Sequence, residues 1–227
     1  MRIALAGAHG QIARRLGRLL SARGDSVVGL IRNPAHESDV VGDGVEPAVL
    51  DLETAQLDAA AATLEGADAV VFAAGAGPGS GIPRKDTVDR GAAVLLADAA
   101  ERSGVGSYLL VSSMGVDSVA DGATPEGVDE VFLAYLRAKL AAEQDLLARP
   151  DLATTVLRPG ALTDDPGTGR VTLARHVRRG SVPRDDVAAV LVALLDAEPQ
   201  GAVLELVGGD TAVDEAVAAV LRPGARG

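Results

Sequence analysis

Apolar and polar positions along this chain fall into two alternating kinds of block. Short runs rich in β-branched residues, RIALAG (2–7), SVVGLI (26–31), PAVLD (47–51), ADAVVFAAG (67–75), SYLLVSS (107–113), ATTVLRP (153–159) and AVLELVG (202–208), are mostly apolar throughout. Strands covered on both faces, as in a parallel sheet, have this pattern, whereas a half-exposed strand alternates. Between them, segments 11–24, 55–66, 87–104, 129–150 and 184–199 repeat apolar residues every three or four positions, and several close on Gly or Pro. These spacings predict helices with ordinary stop signals. Strands alternating with helices make βαβ units, so the pattern predicts an α/β fold: a single Rossmann-type, doubly wound, mostly parallel sheet with helices on both faces.

No linker, repeat or low-complexity tract interrupts the alternation. The chain of 227 residues therefore reads as one domain over 1–221, with 222–227 as a flexible tail. Composition narrows the function classes. Having no cysteine excludes disulfides and thiolate metal sites, and the scattered His9, His36 and His176 give no metal spacing. A net charge of −11 disfavours nucleic acid and anionic membrane as partners, and no apolar run resembles a signal peptide or a membrane span. The expectation is a cytoplasmic protein, monomer or homodimer, whose partner is a small-molecule substrate.

The first strand runs directly into GAHGQIA (7–13) and a helix. Gly7 permits a tight turn, Gly10 lets a pyrophosphate approach the backbone, and the small Ala13 lets helix and strand pack. The free N–H groups of the helix start then face the phosphates. A plain βα turn also needs glycine, so the motif points to a dinucleotide because of its place on the first strand of an α/β chain. An NAD site normally has an acid at the end of the second strand; here Arg32 stands there, which suits a 2′-phosphate and favours NADPH over NADH as cofactor. Alternatively Arg32 is one solvated arginine among many. Asp51 and Leu52, after the third strand, meet the adenine or simply end that strand.

Tyr135 and Lys139 lie four apart on a predicted helix and share one face. An ammonium beside a phenol stabilises phenolate and makes the tyrosine a usable acid or base. With two tyrosines and two lysines in the chain, chance supplies roughly 0.02 such matches, although an amphipathic helix with a packed tyrosine and a solvated lysine is the plainer alternative. Ser112 and Ser113 close the fifth strand, at the carboxyl edge where ligands of open sheets sit. A serine there hydrogen-bonds a substrate carbonyl, or merely caps the strand end. Pro159 and Gly160, after the sixth strand, turn the chain over the nicotinamide. Met114, Phe132 and the segment from Leu162 to Val171 are expected to line a mainly apolar pocket.

Taken in order, GAHGQIA, Arg32, DLE, VVFAAGAG, LLVSSMG, YLRAK, RPG and RDDVAAVLVALL make nearly the whole chain resemble the short-chain dehydrogenase/reductase superfamily. It is most similar to the atypical group that includes flavin/biliverdin reductases and nitrogen-metabolite-repression regulators. The resemblance implies that Ser113 orients a carbonyl, that Tyr135 is the acid/base, and that Lys139 holds the nicotinamide ribose and tunes Tyr135. It places Gly7, His9, Gly10, Gln11, Ile12, Ala73, Ala74 and Gly75 with Arg32, Asp51, Leu52, Lys139, Pro159 and Gly160 on the dinucleotide. One departure stands out: the asparagine of the family's catalytic tetrad is missing, because Asn33 is the only asparagine. An NADPH-dependent reductase of carbonyl, quinone or flavin-like acceptors is therefore the leading expectation. A non-catalytic dinucleotide sensor is the rival, and a nucleotide-sugar epimerase or dehydratase ranks third because few residues follow LRPG.

Overall fold

The computed structural model describes residues 1–77, 79–197 and 201–221; the expected tail at 222–227 lies outside them. The main sheet contains β1 (Arg2–Ala6), β2 (Ser26–Ile31), β3 (Glu46–Val49), β4 (Ala69–Phe72), β5 (Ser107–Val111), β6 (Ala153–Pro159), β8 (Arg170–Ala174), β10 (Val203–Gly208) and β11 (Thr211–Ala212). Their order is β11-β8-β10-β6-β5-β4-β1-β2-β3, with β7 (Ala161–Thr163) and β9 (Ser181–Pro183) paired separately. From β3 to β10 neighbours run parallel; β8 and β11 are antiparallel. Chain order reverses between β1 and β4, which opens a crevice at their carboxyl ends. This is the predicted Rossmann-type, doubly wound fold.

Side-chain alternation explains why the strands are apolar throughout. On β1, Ile3 and Leu5 enter one core while Ala4 and Ala6 enter the other; on β4, Val71 and Phe72 divide in the same way. The first core is closed by α1 (Gln11–Ala22), α2 (Glu37–Gly42), α7 (Arg184–Ala197) and α8 (Val213–Val220), through Leu16, Leu20, Val40, Leu191 and Val217. The second is closed by α3 (Leu57–Thr63), α5 (Ala93–Arg102) and α6 (Glu130–Leu147), through Ala60, Leu96 and Leu146. Tyr108, fully buried on β5, satisfies its hydroxyl by donating to the Ala93 carbonyl at 3.0 Å. Among the described residues no helix is long and apolar enough to cross a membrane.

Two departures from the sequence pattern shape the crevice. The fourth strand, expected over 67–75, ends at Phe72, which pairs with Ala6, the last residue of β1, and with Leu110 on β5. The freed chain then crosses Gly7, where a Cβ would lie 2.6 Å from Ala74 Cα and φ is +76°. Only glycine fits there. The helix expected to begin at Thr87 instead begins with α4 (Ile82–Arg84) and continues as a π-helical segment, Lys85–Ala92, into α5. Such segments are rare and accompany functional sites; this one buries Lys85 and Asp89.

Leu16 on α1 is wholly buried in the first core. Leu16→Ala should destabilise the protein by about 2–5 kcal/mol, measured by urea unfolding; a loss well under ~1 kcal/mol would contradict the packing described.

Candidate functional site

Two cavities meet along the carboxyl edge of the sheet. The first, of about 330 Å³, is lined by Gly7, His9, Gly10, Arg32, Asp51 and Leu52 among others, and the second, of about 940 Å³, by Ile12, Ser113, Tyr135, Lys139, Pro159 and Gly160. Ala73, Ala74, Gly75 and Ala76 line both. The residues expected to hold the dinucleotide or to act on the substrate are thus brought together with one exception. Gln11, the first residue of α1, is exposed and lines neither cavity. The turn before α1 closes when Gly10 N–H donates to the Gly7 carbonyl at 2.7 Å, and no side chain caps the helix start. Its first-turn N–H groups are therefore open to an anionic ligand.

Arg32 is exposed at the end of β2, and its Nη1 donates to Glu53 at 3.0 Å. Glu53 also accepts from Thr87 at 2.7 Å and from the guanidinium of Arg84, which lines the same cavity. Arg84 first, then Thr87 and Arg32, hold the Glu53 carboxyl down to about 2, against the opposing effect of its partial burial. The DLE run carried this residue in plain sight, but nothing in the sequence spacing joins Glu53 to Arg84. His9 stacks on His36 with ring centroids 3.6 Å apart, and its Nε2 lies 2.8 Å from Asp39.

Asp129 caps α6 by accepting from the N–H groups of Val131 and Phe132, both at 3.0 Å. Helical spacing then sets Tyr135 and Lys139 one turn apart on the face toward the cavity. Lys139 is buried; its Nζ donates to the Val111 carbonyl at 2.9 Å, lies 3.5 Å from Asp89 Oδ1 and is 6.0 Å from the Tyr135 ring centre. Asp89, 0% exposed, is a site residue that the sequence reading missed. Its Oδ2 accepts from Ala76 N–H, whereas Oδ1 accepts no hydrogen bond among the described residues.

Ser112 and Ser113 take different environments. Ser112 is buried and donates to Glu143, whereas the half-buried Ser113 faces the cavity and donates only to the Met114 carbonyl at 3.2 Å. Glu143 and Arg158, both buried, form a fork with bonds of 3.1, 3.1 and 2.6 Å, and Arg158 reaches Asp117 at 2.7 Å. This network ties α6 to the ends of β5 and β6. Beyond it, Gly160 passes so close to Gly180 that a Cβ would sit 2.3 Å from that carbonyl oxygen. One expectation needs correction: of the segment 162–171 only Leu162 lines the cavity. Gly167 to Gly169 are held by Asp185 and Asp186, and Val171 is buried in the first core.

A family model described as NAD(P)H-binding matches residues 7–198. The chain belongs to the NAD(P)H-binding family. Within the NAD(P)H-binding proteins its relatives fit the atypical short-chain dehydrogenase/reductase group that the motifs resemble. A Bacillus subtilis protein named as an uncharacterized sugar epimerase, YhfK, is 32% identical over 96% of this chain and 99% of its own. A Bacillus halodurans structure, provisionally described as an NAD-dependent epimerase/dehydratase, superposes with a TM-score of 0.86 at 31% identity, covering 97% of this chain and all of the other. ChuY of Escherichia coli, described as an anaerobillin reductase, gives 0.77 at 27% identity over 92% of this chain and 98% of its own.

Two outcomes follow from the charged network. Glu143→Ala leaves the Arg158 guanidinium buried beside an empty place and should cost about 3–5 kcal/mol in urea unfolding; a change under ~1 kcal/mol would contradict the arrangement. The lowered Glu53 value means that its contribution to stability is complete above the ordinary carboxyl value of 4.5 and is lost as pH falls toward about 2. The stability gap between wild type and Glu53→Gln, read from urea midpoints, should therefore be larger at about pH 7 than at about pH 3. An equal gap at both would refute the assignment.

Proposed function

We propose that this protein is an NADPH-dependent reductase that passes a hydride to a small carbonyl or conjugated acceptor of quinone or flavin type. One observation carries the reading: the two cavities join through Ala73–Ala76, so an uncapped helix start and an arginine-rich nucleotide end open into the same trough as Ser113, Tyr135 and Lys139. The donor set fits the cofactor. First-turn N–H groups of α1 would take the pyrophosphate, Asp51 and Leu52 the adenosine, and Arg32 with Arg84 the 2′-phosphate, in exchange for part of their hold on Glu53.

When bound, the nicotinamide supplies the hydride. Lys139 would hold the neighbouring ribose, and Asp89 lies 3.5 Å from its buried ammonium. Ser113 would donate a hydrogen bond to the acceptor oxygen, and Tyr135 would pass its phenolic proton to that oxygen. Two electrons and two protons' worth of hydrogen reach the acceptor, and solvent reprotonates Tyr135. The reductase description of ChuY supports this chemistry. The names of the two Bacillus proteins favour a second reading, epimerisation of a sugar nucleotide. Against it stands the apolar wall formed by Met114, Phe132 and Leu162, which suits a flat acceptor better than a sugar ring. The protein acts on a small molecule, as a monomer or a homodimer.

Calorimetric titration tests the cofactor. NADPH should bind more tightly than NADH, and Arg32→Ala should weaken NADPH by about tenfold or more while changing NADH little. Equal affinities in the wild type would refute the preference, and no binding of either would refute the reading. Tyr135→Phe should retain NADPH affinity and lose turnover by about 10²-fold or more in an absorbance assay with quinone and carbonyl acceptors, which an epimerase would not support.

A further inference from the structure

The acceptor cavity carries more positive charge than its proposed chemistry uses. Four cationic side chains line it: Lys85, Lys139, Arg179 and Arg184. Two are answered, Lys139 by Asp89 and Arg184 by Asp164 at 2.9 Å. Asp129, also on the wall, is engaged as the cap of α6. Lys85 and Arg179 have no carboxylate within ion-pair distance among the described residues.

For Lys85 this is costly. The residue is only 9% exposed, yet its ammonium has as partners one carbonyl, Gly77 at 3.0 Å, and the face of Tyr135, 5.6 Å from the ring centre. A buried charge normally pairs with an opposite one, because leaving water is not repaid by a single neutral acceptor. In a chain of net charge −11, with carboxylates answering most of its arginines, an unanswered buried lysine is a position held open for something else. Arg179, in the loop between β8 and β9, lies over Gly115: its Nη2 is 3.2 Å from where a Cβ on that glycine would stand. It makes no hydrogen bond or ion pair among the described residues. Part of the remaining wall is apolar. Phe132, although 48% exposed, stacks on Tyr135 with centroids 5.7 Å apart, and Leu162 adds a second exposed apolar side chain.

We propose that Lys85 and Arg179 form an anion-recognition pair, and that the acceptor is a flat, apolar molecule bearing an oxyanion group, a carboxylate or a phosphate ester. This rests on the reductase reading and deepens it by naming the substrate class. Lys85, beside Tyr135, sets the acidic group's distance from the reacting atoms, and the guanidinium of Arg179 offers the fork that suits an oxyanion. The aromatic face of Phe132 receives the flat body.

The test uses three unreactive probes, 2-naphthoate, 2-naphthyl phosphate and the neutral 2-naphthamide, titrated calorimetrically into the protein with and without saturating NADP⁺. At least one of the two anions should bind about tenfold or more tightly than the amide. Which of them wins identifies the acidic group. Lys85→Met and Arg179→Met should each abolish that discrimination while leaving affinity for NADP⁺ within about twofold. Arg179 is exposed, so its variant folds whatever becomes of Lys85. Equal binding of acids and amide in the wild type would overturn the proposal, as would discrimination that survives both substitutions. A Lys85→Met protein that loses NADP⁺ together with the probes would also overturn it, by assigning that lysine to the fold. A wild-type protein that discriminates among the probes but takes up no nucleotide would instead sink the reductase reading, so the two failures are told apart.

Discussion

A carboxylate and a guanidinium withdrawn from water, Glu143 and Arg158, set the geometry on which the candidate site depends. Glu143 stands on α6, one turn beyond Lys139, and Arg158 is the penultimate residue of β6. Glu143 also accepts from Ser112 at the end of β5. Isolating either charge would be expensive, so the helix can neither slide nor rotate against the two strands without breaking several bonds at once. The rotation of α6 about its axis is what decides whether Tyr135 and Lys139 look into the trough or into the core. With Ser112 drawn down into the network, its neighbour Ser113 is left to face the cavity. The pair thus fixes the position of the helix against the strands.

The same logic of answered and unanswered charges runs along the trough. At the nucleotide end Glu53 gathers Arg32, Arg84 and Thr87, which holds two arginines at the cavity wall before any ligand arrives. Farther along, Asp89 answers Lys139 from a π-helical turn that brings its carboxylate inward. These acids neither line up in sequence nor share one element. They let an acidic protein keep cations where the proposed dinucleotide would lie, and they hold those cations in place rather than leaving them to the solvent.

Much of the fold was legible because strands buried on both faces and helices with a single apolar stripe have unmistakable periods. The turn at Gly7 and the Tyr135–Lys139 spacing were legible for a related reason: each is a local motif, whose members are joined by one turn or one helix. What stayed hidden was either short or non-local. β8 does alternate, with Val171 and Leu173 buried between exposed Arg170 and Thr172, but five residues look like any loop. The three-residue β7 and β9 are shorter still, and the helix α2 spans only six residues. Asp89 and Lys85 were unreadable because their meaning depends on a widened helical turn, and Glu53 because its partners come from two other elements. Residues 163–171 were misplaced at the pocket, since the hold of Asp185 and Asp186 on the backbone of residues 167–169 cannot be seen in one dimension.

The most direct test of the account is a crystal structure of the protein grown with NADP⁺. The account predicts pyrophosphate on the first-turn N–H groups of α1, the 2′-phosphate against Arg32 and Arg84, and the nicotinamide beside Tyr135 and Lys139. Nucleotide bound outside the trough, or bound in it with the nicotinamide directed away from Tyr135, would contradict it.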